Sequence, residues 1–463
     1  MRILYVILLF VLLGTYWAAL ERLKGSFKVL TPILGWMVGL GYFVIIPWSI
    51  VTLRGRFRYP AIYAQNGVWG DVDLSRTQFL GPWIFIWLSL MLACAVAYFY
   101  RPGPVAKQGP DFAFSRPRLK RIVLFLIGCV VLEWVATIWM NGGVEQFLIS
   151  HWYHRQDALI ERFGVGYIVY MHAASSLQIL LTGAAALYTE AGLKNRDTGW
   201  KFTSLIVFTL VVGMMLHGNR IFFAVYLLAL LVSCWLYERK KILATLLVAS
   251  PLIVLTFSAW AWVRQDLSAI PESVATHVID ADMDNRAVTS LMDATEGANL
   301  LLLMHIIGDF GDKYDYLYGS TYSRLLTFFE PRILNPERTE SFTIIAAKHY
   351  EPGEQMSLNS TALGEASANF GVLGVFVLPL FTWLALRYSE WLLAGYEKHA
   401  LLSAVSFVMM IWFARSTFAE NAFTLIGAAL LIQVLGLESR LRMDGQSRPL
   451  AQLQEEAHAR RSL

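Results

Sequence analysis

The chain has 463 residues, 56% of them hydrophobic, and a mean hydropathy of +0.50. A soluble globular chain runs nearer ~45–50% apolar, so an ordinary soluble domain is excluded. The formal net charge of +4 does not point to a nucleic-acid partner. Cys94, Cys129 and Cys234 all fall inside apolar runs, which gives neither a disulfide framework nor a metal-ligand spacing.

Apolar runs long enough to cross a bilayer recur along the whole chain. They lie near 3–20, 29–51, 80–100, 122–140, 167–190, 202–217, 221–237, 242–262, 368–386, 400–413 and 422–437. The pattern predicts an all-α polytopic membrane protein with about eleven (10–13) transmembrane helices. The first run does not read as a signal peptide. Only Arg2 precedes it, whereas Arg22, Lys24 and Lys28 follow it. The runs divide the chain into N-terminal helices over 1–262, a long loop over 263–367, C-terminal helices over 368–437 and a polar tail over 438–463.

Lys and Arg favour cytoplasmic loops. The loops at 21–28, 101–121, 191–201, 238–241 and 387–399, with the tail, hold 22 of the 38 Lys and Arg. That side is therefore expected to be cytoplasmic. The loops at 52–79 and 141–166 and the segment 263–367 then face outward.

The outer segment is long, and long loops in membrane proteins are usually functional. It carries 16 acidic and 7 basic residues. Its acids crowd the stretch "DADMDN", 280–285. An EF-hand would need Gly and Glu where Asn285 and Leu291 stand, so that reading fails and a solvated acidic turn is expected. The stretch "EGANLLLLMHIIGDF", 296–310, is apolar but short for a span. It predicts a helix lying in the interface or packed on the bundle. In "FFEPRILNPER", two prolines stiffen a loop that holds arginines.

Several arginines gather on the outer face. In "HGNR", 217–220, a span ends near His217 and Gly218 and Asn219 suit a tight turn before Arg220. Arg415, in "WFARSTFAEN", is placed at another outer helix end. Arg264, Arg155 and Arg162 belong to the same side. Guanidinium groups bind diphosphate bidentately and stay charged at any relevant pH. The plainer reading is that each snorkels to headgroups or pairs with a nearby acid, as Glu420 would pair with Arg415.

The pieces "GNR" at 218–220, "YGSTYSRLLTFFEPRILNPER" at 318–338, "NSTALGEASANFGVLG" at 359–374 and "FARSTFAEN" at 413–421 occur in this order. Together they resemble the Wzy-type oligosaccharide repeat-unit polymerases of bacterial envelopes. The resemblance covers roughly 213–437; the first half matches only in hydropathy. Glu330 stands where that family usually has an apolar residue, and "LNPER" replaces its Trp-Pro and Lys-Pro pattern. The resemblance implies a glycosyltransferase C-like bundle in the bacterial inner membrane, with its active site facing the periplasm. Its substrates would be an undecaprenyl-diphosphate-linked glycan donor and acceptor, polymerised into O-antigen or exopolysaccharide. Membrane lipids surround it, and a chain-length-regulating protein is a further partner the family allows. O-antigen ligases share this architecture and remain an alternative. A transporter is a third reading. It would place charges at mid-membrane on broken, repeated helices, and the sequence shows no repeat.

Glycosyl transfer needs a stabilised leaving diphosphate and a base for the acceptor hydroxyl. For the diphosphate the candidates are Arg220, Arg332 and Arg415, followed by Arg338 and Arg155. These would serve with no metal or cofactor. For the base they are Glu365, against the plainer reading of an acid near a helix N-terminal dipole, and His349, against that of an ordinary loop histidine. The aromatics "HWYH", 151–154, and the tyrosines at 314, 316, 318 and 322 suit either sugar stacking or an interfacial belt.

Overall fold

The computed structural model describes residues 2–27, 31–58, 71–101, 116–143, 162–194, 199–217, 220–236, 295–327, 339–350, 359–393 and 396–418, with a few isolated positions besides. The described residues are 85% helical, consistent with an all-α membrane protein. Among the described residues, five helical runs are long and apolar enough to cross a membrane: Arg2–Ser26, Pro32–Arg54, Thr77–Phe99, Arg116–Met140 and Thr361–Leu392. Helices also cover the expected runs at 167–190, 202–217, 221–237 and 400–413. The runs at 242–262 and 422–437, the "DADMDN" stretch and the tail lie outside the described residues.

The chain forms two compact units. The first comprises Met1–Lys107, Ala281–Ala394 and Ser406–Gly427; the second comprises Gln108–Asp280, Gly395–Val405 and Ala428–Leu463.

In the first unit, α1 (Arg2–Ser26) is followed by α2 (Pro32–Leu40), a π-helical turn (Gly41–Ile45) and α3 (Ile46–Arg54). Arg2 Nη2 donates to the Leu53 carbonyl at 2.8 Å, so α1 begins at the end of the unit where α3 stops. A two-stranded antiparallel ribbon at that end pairs β1 (Arg56–Arg58) with β2 (Asp71–Asp73). The chain returns as α4 (Leu80–Phe99). In an apolar phase every polar group needs an internal partner. Two of the buried tryptophans obey this. Trp83 Nε1 donates to Thr52 Oγ1 at 2.9 Å and Trp36 Nε1 to Thr382 Oγ1 at 2.8 Å. The face of α1 away from the core presents Ile3, Leu4, Ile7 and Phe10 to the surroundings, as a lipid-contacting helix does.

In the second unit, α5 (Arg116–Met140), α6 (Val165–Lys194), α7 (Trp200–His217) and α8 (Arg220–Leu236) pack around Leu181, Ala185, Ile206 and Tyr226. Helix α7 ends at His217 and α8 starts at Arg220; Gly218 and Asn219, where the turn is expected, lie outside the described residues.

Four short helices complete the first unit's interior: α9 (Gly297–Asp309), α10 (Ser320–Thr327), α11 (Phe342–Tyr350) and α12 (Thr361–Phe370). Helix α9 is the apolar stretch expected at 296–310. It is packed into the bundle and not laid on a surface, because it is apolar all round and every residue from Leu300 to Ile306 is buried. A 3₁₀ turn (Gly371–Phe376) then leads from α12 into α13 (Val377–Leu393). The turn doubles back so closely that a Cβ on Gly374 would stand 2.7 Å from the Ala366 carbonyl carbon and oxygen. The last of the described helices is α14 (Tyr396–Arg415), whose residues from Ser406 onward belong to the first unit.

Candidate functional site

Helices α2 and α14 pack so tightly that no side chain fits between them at two points. A Cβ on Gly35 would overlap the Phe407 carbonyl, and one on Gly39 would stand 2.7 Å from the Ala414 methyl. Small residues four apart permit this close helix approach. The register runs parallel, Gly35 with Phe407 and Gly39 with Ile411 and Ala414. Arg415, the last residue of α14, therefore comes level with the π turn, halfway along Pro32–Arg54. Pi-helical turns of this kind are frequent at functional sites.

Arg415 was expected at an outer helix end, paired with Glu420. It is the last residue of α14, and its Nε pairs with Glu296. Its guanidinium also lies 4.1 Å from the centroid of the Trp412 ring. Glu420 lies outside the described residues. Glu296 adopts a left-handed conformation (φ 52°) immediately before α9, and its Oε2 accepts from Asn299 Nδ2 at 3.0 Å. Helix α9 then runs towards the ribbon end, where Gly308 lies beside Pro82. The C-terminal end of α14 and the N-terminal end of the short helix α9 thus present opposite charges to each other inside the first unit.

Glu365 is the fifth residue of α12 and is fully buried. It is no solvated acid at a helix start, since all of Thr361–Asn369 is enclosed. Its Oε2 accepts the Phe418 backbone N–H at 2.6 Å, three residues beyond Arg415. The helix begins under strain: Thr361, a β-branched residue, has φ +64°. Such strain clusters at functional sites.

Around Glu365 stand Asn369, which the sequence did not single out, and Tyr322, one of the tyrosines expected in sugar stacking or an interfacial belt. Asn369, one helical turn on, donates from Nδ2 to Thr321 Oγ1 (2.8 Å) and to the Glu365 carbonyl (2.7 Å). Tyr322 lies between Phe370 and Phe418, with ring centroids 5.3 and 5.4 Å away. Burial first, and then the nearby Glu365 carboxylate, push its phenol well above the ordinary value, so it remains a donor. The available signals were the Glu-x-x-x-Asn spacing within α12 and a tyrosine in "STYSR".

His349 belongs to a different group of side chains. It is the penultimate residue of α11, with its ring over Tyr314, centroids 4.1 Å apart, and burial lowers its pKa so that it is neutral at pH 7. Tyr350 Oη beside it donates to Asp309 Oδ2 at 3.1 Å, and Lys313 Nζ reaches Asp309 Oδ1 at 2.7 Å. Arg220 heads α8 in the second unit. Arg332, Arg338 and Arg155 lie outside the described residues. Of the expected site residues, Arg415 and Glu365 are therefore the two that one short stretch, Arg415–Phe418, ties together. The second unit holds a further buried carboxylate that the sequence reading passed over. Glu133 Oε1 accepts from Thr137 Oγ1 (2.8 Å) and from Tyr170 Oη (2.6 Å).

Compared with family profiles, with curated proteins and with solved structures, the chain matches none.

Proposed function

We propose that the chain is a membrane glycosyltransferase. It would join undecaprenyl-diphosphate-linked oligosaccharide repeat units into O-antigen or exopolysaccharide at the periplasmic face of a bacterial inner membrane. The observation that carries this reading is the tie between Glu365 and the end of α14, which puts a buried carboxylate beside a segment ending in a guanidinium. In the reaction, an acceptor hydroxyl oxygen attacks the anomeric carbon of the donor glycan. The bond from that carbon to the diphosphate oxygen breaks, and undecaprenyl diphosphate leaves. Glu365 takes the hydroxyl proton. Arg415 offers the leaving diphosphate a bidentate partner in exchange for Glu296. Arg220, Arg332, Arg338 and Arg155 are proposed as further diphosphate contacts, and His349 as a second base.

A carrier is the second reading, favoured by the opposite charges paired inside the bundle where α14 ends and the short helix α9 begins. The glycolipid profile of a deletion strain separates the readings. Loss of a polymerase leaves glycolipid with single repeat units. Loss of a ligase leaves long unattached polymer, and loss of a flippase leaves neither outside. We expect single repeat units; either of the other profiles contradicts the proposal.

A further inference from the structure

We infer that Asn369 and Tyr322 form the subsite that holds the hydroxyl-bearing edge of the acceptor sugar against Glu365. The inference rests on the glycosyltransferase reading and assigns one of its two substrates to one place. Hydrogen counting carries it. Both Nδ2 hydrogens of Asn369 are used, one on Thr321 and one on the Glu365 carbonyl, which fixes the amide plane. The Oδ1 on its other side is enclosed, in a residue 1% exposed, and accepts no hydrogen bond among the described residues. The Tyr322 hydroxyl is likewise enclosed and makes none among the described residues. Its ring cannot swing away, since Phe370 and Phe418 flank it.

Buried polar groups are normally paired, and two oxygens left unpaired among the described residues beside Glu365 call for an occupant. An acceptor carbonyl beside a protonated phenol and a carboxylate suits a neutral ligand that both gives and takes hydrogen bonds. That describes a polyol; a diphosphate would meet Glu365 and the Asn369 oxygen and be repelled. Phe370 and Tyr318 at the rim are exposed and offer apolar faces on which a sugar ring can stack.

The probe is the free repeat-unit oligosaccharide, cut from the single-repeat glycolipid of a deletion strain. It lacks the diphosphate and can act only as acceptor. Its binding to the full chain in lipid nanodiscs is measured by intrinsic fluorescence, with no turnover needed. Extension of the intact glycolipid is followed separately. Wild type should bind the oligosaccharide, and Tyr322→Phe and Asn369→Ala should each weaken binding about tenfold. Tyr322→Phe removes a hydroxyl with no internal partner among the described residues, so its thermal stability should not fall. Both variants binding like wild type would overturn the subsite. So would a wild type that ignores the oligosaccharide yet extends the glycolipid, and there the transferase reading would survive. Failure of both binding and extension would sink the transferase reading and the sugar subsite with it. Fluorescence that responds to sodium but not to the oligosaccharide would reassign these oxygens to a cation and overturn the inference.

Discussion

Glu365→Gln should leave a protein that accumulates normally and makes no polymer. Gln is nearly isosteric, and its amide oxygen can still accept the Phe418 N–H that Glu365 Oε2 accepts at 2.6 Å. It cannot take a proton from an acceptor hydroxyl. Loss of a positioned general base typically slows a reaction about 10²–10⁴-fold. Glu365→Ala should be worse for a second reason. It strips the Phe418 N–H of its partner inside a fully buried segment, at a cost of ~1–3 kcal/mol, and opens a void in α12. Polymer ladders and protein level in the membrane, read together, separate the two effects. Long ladders from the Gln variant at normal protein level would make Glu365 a structural residue.

Gly35→Leu should prevent the first unit from assembling. At Gly35 even one added carbon would overlap the Phe407 carbonyl, which is backbone and cannot rotate aside. Gly39 repeats the constraint one turn later against Ile411 and Ala414. To admit a side chain, α2 and α14 would have to part, which breaks the close approach that drives helix association in lipid. Overpacking alone costs ~1–3 kcal/mol, and separation of the helices adds to it. Gly14 is the internal contrast, because a Cβ there meets nothing within 4 Å. Gly14→Ala should be neutral or slightly stabilising, by ~0.5–1 kcal/mol from helix propensity. Size-exclusion profiles and thermal stability of the detergent-extracted variants read the difference. A monodisperse, normally stable Gly35→Leu protein would refute the packing described for α2 and α14.

Much of the helical layout was legible in the sequence. Hydropathy alone placed α1, α4, α5, α7 and α8 within a few residues, since a long apolar run in a helical protein has one way to bury its backbone. The interior of the first unit was less so. Glu296 and Arg415 stand 119 residues apart, and nothing local signals that they pair. The apolar run over 400–413 reads as a span of its own, while the depth at which α14 stops depends on its packing against Gly35 and Gly39. Glu365 was legible as a residue of interest but not as a buried one. The run 368–386 appears continuous by hydropathy, yet Gly371 (φ +56°) and the doubled-back turn at Gly374 break it and enclose α12. Long-range packing set these features, and no window of a few residues contains it.

The most direct test of the proposed activity uses the purified full chain in liposomes, with the single-repeat glycolipid as sole substrate. A repeat-unit polymerase should convert it into a ladder of longer glycolipids. Free undecaprenyl diphosphate should appear in step, one molecule for each bond made, and a metal chelator should not stop it. A well-folded protein that yields neither ladder nor free undecaprenyl diphosphate would contradict the account.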